Sequence, residues 1–384
     1  MAAAELDFDR GATIVRIDWV RLTARRPRAA GKNARLPEHG IDVSVPVARL
    51  TAGGVSGYGF SVVSEEHGKS LIGKTVGELF AQTLPIVRRE FRPIEIPLLD
   101  WLGRATKRPV YQIVNPEVKA PFAVPCYDTS LYFDDLHLPD HDAAGALMAK
   151  EAAEGVAKGH RAFKVKIGRG AMHMPLMDGM ARDIAVVNAI RKEIGPEAKL
   201  LVDANNGYNL NLTKMFLEGT ESSKLHFIEE PFHEDGELYR HLSEWMAKRE
   251  MRTLIADGEG DYSQRLLDWA KRGWVDVLQY DIFIPGFSFW LELVPQLHAQ
   301  GIGAAPHHYG TMLGNYVAPH LAAGVPTWQF AEYDEAKADG IDTSGYRIDA
   351  GRIVVPEKPG FGLEFDERFF LDRVQASGWA TSAN

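Results

Sequence analysis

Three apolar segments in the middle of this 384-residue chain each end in an acidic residue, and their spacing constrains the fold more than any other feature. The runs LLVD, FIE and LIADGE end at Asp203, Glu229 and Glu259, so the acids are 26 and 30 residues apart. That distance is about the length of one βα unit, which predicts consecutive parallel strands joined by helices. Because such strands end at the same edge of a sheet, we expect the three carboxylates to converge.

Converging carboxylates repel one another unless a positive charge lies among them. A set of ligands made only of oxygen atoms favours a hard cation, and Mg2+ first. The alternative is that these acids open the helices that follow the strands, a common role for Asp and Glu. That alternative explains one or two acids but explains three at this spacing poorly.

The surrounding chain, from about residue 121 to 354, alternates apolar runs with helical stretches. Eight strands favour a β/α barrel over an open doubly wound sheet, which usually has fewer strands, and the sequence contains no glycine-rich dinucleotide fingerprint. The predicted strands are FAVPCY (122–127), FKVKI (163–167), LLVDA, FIEEP, LIADGE, VDVLQYD (275–281), GIGAAPHH (301–308) and WQFAEY (328–333).

The first 120 residues predict a small α+β domain, completed by residues 355–384. A helical region follows a meander of about three antiparallel strands, which the strand at 13–21 begins and two later strands complete. Between them, residues 23–40 are basic, contain Pro and Gly and lack periodicity, which predicts a mobile loop. This loop is either a solvated connection or a lid whose basic residues, Arg25 to Arg35, help to hold an anionic substrate.

Composition indicates the expected compartment of the protein and the classes of partner that it lacks. A net charge of −9 argues against a nucleic-acid surface. The single cysteine, Cys126, excludes an internal disulfide framework and fits a reducing cytoplasm. The first residues are acidic, unlike a signal peptide, and no apolar run is long enough to span a bilayer. We therefore expect a cytoplasmic protein without nucleic-acid or membrane partners.

Two lysines on the second predicted strand, Lys164 and Lys166, are two residues apart and so point to one face. On an outward face they would be solvated. At the mouth of the barrel, one ammonium would pair with a substrate carboxylate. The pKa of the other would be lowered by its neighbour and by the metal, so that it could act as a base.

Alternation along the other strands leaves some assignments open. Asn205 shares a face with Asp203, but Asp257 and Glu259 also share a face, so alternation cannot choose the third ligand. Asp281 and His307 follow neighbouring strands and can form a carboxylate–imidazole pair. A structural role for a lone histidine is the alternative. His308 is the rival for the acid–base role.

Taken together, KVK, VDANN, FIEEP, IADGE, the Asp281 and His307 pair and AEYDE resemble the mandelate racemase branch of the enolase superfamily. The stretches DWLGRATKRPVYQ and PGFGLEF resemble that family too. The resemblance implies a modified (β/α)7β TIM-like barrel with an N-terminal α+β capping domain, and a homo-oligomer. It implies one Mg2+ held by Asp203, Glu229 and Glu259.

The resemblance also implies the roles of the remaining residues. Lys166 would be one base with Lys164 beside it, and His307 with Asp281 would be the acid–base group on the opposite face. Glu332 would be a protonated carboxylic acid that hydrogen-bonds a substrate carboxylate. The loop at 169–179 is long, and His173 or its methionines could approach the site.

Such a site removes a weakly acidic proton next to a carboxylate and stabilises the resulting ene-diolate. Our first expectation is syn or anti dehydration of an aldonic or aldaric acid to a 2-keto-3-deoxy acid, because relatives with both a Lys and a His here are most often acid-sugar dehydratases. Asn205 could bind the α-hydroxyl, and Arg25 and His308 are further candidates for substrate contact. The alternatives are a racemase or epimerase of a 2-hydroxy acid, or a metal-binding barrel without activity.

Overall fold

The computed structural model describes residues 6–383, and its first part is an antiparallel meander. The strands are β1 (Ile14–Ala30), β2 (Gly40–Ala52) and β3 (Val55–Phe60), paired in chain order. The prediction of a loop at 23–40 is therefore wrong for its first half, because β1 continues to Ala30. Burial still alternates there, and Arg26 can face inward because it pairs with the buried Asp334.

Helices follow the meander and complete the capping domain on one side. They are α1 (Glu65–Leu71), α2 (Val76–Leu79), a 3-10 helix (Arg89–Ile94), α3 (Glu95–Thr106) and α4 (Val110–Val114). Helix α1 begins where the Ser64 side chain accepts a hydrogen bond from the backbone of His67, which satisfies one of the free N–H groups of its first turn.

The middle of the chain forms eight parallel strands with seven helices between them, which confirms the (β/α)7β barrel. The strands are β4 (Phe122–Leu131), β5 (Ala162–Lys166), β6 (Lys199–Asp203), β7 (Phe227–Glu229), β8 (Leu254–Asp257), β9 (Val277–Leu278), β10 (Gly303–Ala304) and β11 (Ala331–Tyr333). They pair in order from β4 to β10. Strand β11 pairs with β4, and a bridge from Ala304 to Trp328 closes the ring.

The connecting helices pack around the barrel. They are α5 (His141–Ala157), α6 (Leu176–Ile194), α7 (Leu210–Gly219), α8 (Gly236–Lys248), α9 (Leu266–Lys271), α10 (Phe287–Gln300) and α11 (Gly314–Ala322), with short 3-10 helices at Arg169–Ala171 and Glu221–Ser223. Asp140, Asn209 and Asp235 cap the first turns of α5, α7 and α8 with their side chains.

After the barrel the chain returns to both domains. The remaining elements are β12 (Lys337–Ala338), β13 (Ile341–Asp342), β14 (Arg347–Asp349), β15 (Arg352–Val355), β16 (Glu364–Phe365), α12 (Glu367–Ser377) and β17 (Trp379–Ser382). Strands β12 and β17 pair with β1 in the capping sheet, whereas β15 pairs with β4. The chain thus first rejoins the capping sheet at Lys337, before the predicted boundary at 354.

The interior of the barrel below its carboxyl edge is filled by one ring of side chains, one from each strand or its flank. This packing closes the barrel beneath the charged residues, so those residues line a mouth rather than a pore. The ring consists of Tyr127, Ala162, Leu201, Phe227, Ala256, Val277, Ala305 and Phe330. Within residues 6–383, no helix has both the length and the apolar character needed to cross a membrane.

Candidate active site at the mouth of the barrel

The three predicted acids meet at the carboxyl edge of the barrel. Asp203 and Glu229 end β6 and β7 and are fully buried, and Glu259 follows β8. One carboxylate oxygen from each lies within 4.8 Å of the others. Burial and the Asp203 carboxylate raise the pKa of Glu229 to about 7, which reflects the crowding of like charges. This all-oxygen set fits a divalent cation.

Backbone geometry explains why Glu259, and not Asp257, joins this cluster. Gly258 has φ +127°, so the strand ends there and alternation no longer applies. The Asp257 carboxylate accepts hydrogen bonds from the Tyr239 hydroxyl and the Gly258 backbone N–H. Glu259 is left facing the mouth, where its Oε2 atom lies 3.4 Å from Nε2 of His307.

Lys164 and Lys166 both point inward from β5. Nζ of Lys164 lies 2.9 Å from Glu229, 3.1 Å from Glu332 and 3.8 Å from Asp203, and Lys166 forms an ion pair with Asp203. The alternative of two solvated lysines is wrong, since both side chains are buried.

The carboxylates around the two lysines raise the lysine pKa values. Burial lowers the pKa of Lys166, but the Asp203 carboxylate outweighs it, so the pKa is raised. Burial is likewise outweighed at Lys164, where Glu229 and Glu332 raise the pKa well above its usual value. The positive charges of both ammonium groups thus balance the carboxylates. The lowered pKa of Lys166, which was expected partly from the metal, stays a prediction.

Asp281 and His307 form the expected pair on the other side of the mouth. Nδ1 of His307 lies 3.2 Å from Oδ1 of Asp281, and the backbone N–H of Ile282 donates to the His307 carbonyl. Burial lowers the pKa of His307, but Glu259, Glu332 and Asp281 together raise it to about 10. The carboxylate thus fixes the orientation of the ring and favours its protonated form.

His308 does not share this position. Its Nε2 atom lies 2.8 Å from the Glu332 carbonyl oxygen, so the ring packs behind the mouth rather than across it. Of the two histidines, the structure brings His307 to the cluster.

Glu332 lies at the cluster. Its Oε2 atom accepts the backbone N–H groups of His308 and Tyr309 at 2.8 and 2.9 Å. Burial raises its pKa, but Lys164 and His307 outweigh this and hold the pKa well below its usual value. These neighbours favour the ionised form of Glu332, and the protonated carboxylic acid that the resemblance implies stays a prediction.

The two arginines that bound the predicted basic lid, Arg25 and Arg35, lie in different places relative to the mouth. Arg25 lies on the exposed face of β1, with its Nε atom 3.2 Å from Asp42, and is not brought into the cluster. Strand alternation sends the neighbouring Arg26 inward instead. Arg35 reaches Glu230, 3.6 Å away.

The segment that does cover the mouth is the lid loop, residues 31–39. Ala34 lies between Gly168 and Gly207, where an added Cβ would come within 2.8 and 2.6 Å of its methyl group. Nε2 of His173 lies 2.8 Å from the Asn33 carbonyl. His173 therefore holds the lid loop, and the exposed Met172 and Met177 do not approach the cluster.

Two further groups complete the mouth: Gln279, which was missed from the sequence, and Asn205, which was predicted. Gln279 donates from Nε2 to Glu229 at 2.8 Å, and its alternation with Asp281 could have indicated it. Asn205 has φ +42° and donates to Glu230 at 3.1 Å, while its buried Oδ1 has no hydrogen-bond partner. Asn205 was predicted as a substrate contact, and its Oδ1 atom can accept a hydrogen bond from a ligand.

Comparison with known proteins gives this arrangement a family. Residues 147–369, more than half of the chain, match the family described as enolase C-terminal domain-like. The chain belongs to this family. As an enolase-family protein with a capping domain, it carries the fold and the ring of strand-end residues that its sequence predicts.

Its relatives include acid-sugar dehydratases. A structure of galacturonate dehydratase from Geobacillus sp. with D-galacturonate and 5-keto-4-deoxy-D-galacturonate is 47% identical, covers 97% of this chain and 100% of that one, and has a TM-score of 0.94. The E234A mutant of that enzyme, complexed with Mg, is 45% identical over the whole of both chains, with a TM-score of 0.96. Arabinonate dehydratase from Saccharolobus solfataricus is 26% identical over 72% of this chain and 70% of its own.

Proposed function

We propose that this enolase-family protein is an Mg2+-dependent dehydratase of acid sugars, and that a hexuronate such as D-galacturonate is its substrate. The observation that carries the proposal is that a lysine pair and a histidine–aspartate pair flank one cluster of three carboxylates. The nearly full-length similarity to galacturonate dehydratase supports it. Uronic acids extend the sequence-based expectation, which named aldonic and aldaric acids.

Asp203, Glu229 and Glu259 would hold the metal ion, which supplies positive charge next to the substrate carboxylate. Lys164 is placed to bind that carboxylate as well, because its ammonium lies fully buried among the ligands. Since negative charge grows on the carboxylate when the α-proton leaves, Lys164 stabilises the transition state more than the substrate.

Lys166 is the candidate base for the α-proton, and Tyr132 and Asp203 hold its ammonium group in place. His307 is the candidate acid on the opposite side, with its ring oriented by Asp281. The hydroxyl on the β-carbon leaves as water with the proton that His307 gives, and the resulting enol becomes an α-keto acid. Only one water is lost, so no oxidant or reductant is needed.

The same two groups could instead return the proton and give an epimer, and racemases and epimerases also occur among the relatives. Incubating the purified protein with Mg2+ in D2O separates these outcomes. The panel would contain D-galacturonate, D-glucuronate, galactarate, D-galactonate and D-arabinonate. NMR reports α-deuterium, and semicarbazide reports keto acids.

Keto acid formed from D-galacturonate, and lost in Lys166→Ala by at least a hundredfold, is the expected result. Deuterium exchange without keto acid would assign an epimerase instead, and neither signal from any acid would reject catalysis. From the sequence alone we also propose that the enzyme is cytoplasmic and homo-oligomeric.

A further inference from the structure

An aromatic roof covers Lys166, and the proposed chemistry uses only the face of its Tyr132 ring, against the Lys166 ammonium group. The roof consists of His39 from the lid loop, Tyr132 after β4 and Tyr309 after β10. The His39 ring packs edge-on against Tyr132 at 5.0 Å and Tyr309 at 5.5 Å, and Nζ of Lys166 lies 5.4 Å from the centre of the Tyr132 ring. The roof is therefore beside the atom that would take the α-proton.

Among the described residues, the hydroxyl of Tyr132 makes no hydrogen bond of good geometry, although the residue is completely buried and the Tyr309 hydroxyl is a neighbouring polar group. A buried hydroxyl without a partner is unfavourable, and a hydroxyl can both donate and accept. At a site that must admit a ligand, such a free group indicates a contact that the ligand completes.

His39 supplies a complementary acceptor. Its Nδ1 atom lies 3.3 Å from the Gly31 carbonyl oxygen, which can only accept, so Nδ1 carries the proton of this contact. Burial and the nearby Lys166 lower the pKa of His39 and so favour its neutral form. A neutral ring that donates from Nδ1 has a lone pair at Nε2.

The roof is also held rigidly. Asp334 accepts two hydrogen bonds from the Arg26 guanidinium, at 2.8 and 3.1 Å, and this guanidinium stacks 4.4 Å from the centre of the Tyr309 ring. Rings fixed by the capping domain and by the barrel can orient a ligand without first having to be ordered.

We infer that Nε2 of His39 and the Tyr132 hydroxyl together bind a sugar hydroxyl on the part of the substrate beyond the two reacting carbons. The pair offers one acceptor and one group that both donates and accepts, which matches an O–H group. A substrate with an alkyl or aryl chain would leave both unpaired. The inference rests on the proposed function and specifies its substrate class as polyhydroxylated acids.

The test compares D-galacturonate with D-glycerate, which keeps the carboxylate, the α-proton and the α- and β-hydroxyls but has no hydroxyl beyond these two carbons. The variants are Tyr132→Phe, which keeps the ring over Lys166, and His39→Phe, which keeps the packing of the roof. His39→Gln restores an acceptor. Glu38→Gln, an exposed change in the same lid loop, is the matched control.

We expect Tyr132→Phe and His39→Phe each to lower kcat/KM for D-galacturonate by 10- to 100-fold, mainly through KM, with His39→Gln partly restoring it. For each variant, the loss in kcat/KM for D-galacturonate should exceed severalfold the loss in the rate of α-proton exchange of D-glycerate in D2O. An equal loss with both substrates would show a purely structural role, and an unchanged kcat/KM would show that neither group contacts the sugar. Either result overturns the inference.

A binding measurement separates this inference from the proposed function. In the Lys166→Ala background, calorimetric affinity for D-galacturonate in the presence of Mg2+ should fall 10-fold or more when Tyr132→Phe is added, and affinity for D-glycerate should not. If the wild type dehydrates no acid sugar but this difference holds, the reaction is wrong and the binding pair is right. If affinity is unchanged in an active enzyme, the binding pair is wrong.

Discussion

Magnesium should stabilise the folded protein by an amount that the carboxylate cluster makes predictable. Two unit charges 4.8 Å apart repel by about 3.5 kcal/mol at an effective dielectric constant of 20. The cluster contains three such pairs, and the charges of Lys164 and Lys166 partly offset their repulsion. Because the cluster exists only in the folded chain, a cation that binds it stabilises that state alone.

The size of the effect follows from linkage. At a free Mg2+ concentration 100 times its Kd, the free energy of unfolding rises by about 2.7 kcal/mol. The unfolding entropy of a 384-residue chain is about 0.8 kcal/mol per kelvin near 60 °C, so Tm should rise by about 3 °C. Replacing Glu229 by Gln keeps the shape of the side chain but removes one charge of the cluster, and should abolish most of this rise.

Differential scanning calorimetry in EDTA and in a Mg2+ series measures the effect directly. Glu237→Gln, an exposed change on α8, should respond as the wild type does. The reasoning is refuted if Mg2+ leaves the Tm of the wild type unchanged, or if Glu229→Gln gains as much as the wild type. The first result would mean that the carboxylate cluster binds no Mg2+, and the second would mean that Mg2+ binds at another site.

Three further perturbations follow from individual contacts. Asp281→Asn should lower kcat by about 10²-fold with little change in KM, because the orientation and basicity of His307 depend on that carboxylate. Steady-state kinetics at several pH values tests this, and an unchanged kcat would contradict it. Gly168→Ala should raise KM and lower Tm, because Gly168 has φ +99° and the lid loop leaves no room for a methyl group there. Steady-state kinetics measures KM and a thermal scan measures Tm, and wild-type values of both would contradict the packing. Burial lowers the pKa of His320 to about 3, and its Nδ1 atom accepts the Tyr111 N–H. The folded state then binds fewer protons at His320 than the unfolded state between pH 6.5 and 3, so this residue should make stability fall by about 1.4 kcal/mol per pH unit on acidification. Urea unfolding of the wild type and of His320→Asn measures this as the difference between their pH slopes, and equal slopes would contradict it.

The barrel could be predicted from the sequence because each of its strands has a local signal. Apolar runs of strand length ended in polar residues at the spacing of βα units, and the structure has eight strands and seven helices in that order. The basic segment at 23–40 could not be interpreted correctly from local pattern. In the half of this segment that belongs to β1, Arg26 can face inward because it pairs with Asp334, which lies 308 residues away in the sequence.

Protonation states were the other part that sequence reasoning could not supply. Both lysines could be placed on one face by alternation, and this was confirmed, but the pKa of Lys166 depends on which acid it meets across the barrel. The same holds for Glu332, whose pKa depends on backbone N–H groups that its carboxylate accepts and on Lys164. Such partners come from different strands, so no single segment encodes them.

The predictions failed or stayed open where strands end, and the site itself is built there. Alternation of side chains holds only while the backbone is extended. Asn205 and Glu230 have φ +42°, and Gly258 has φ +127°, so the chain turns directly after each of the three ligand strands. These turns direct Glu259 into the cluster while Asp257 points away. A strand pattern can therefore locate the mouth of such a barrel, but the turns at its edge decide which residues line it.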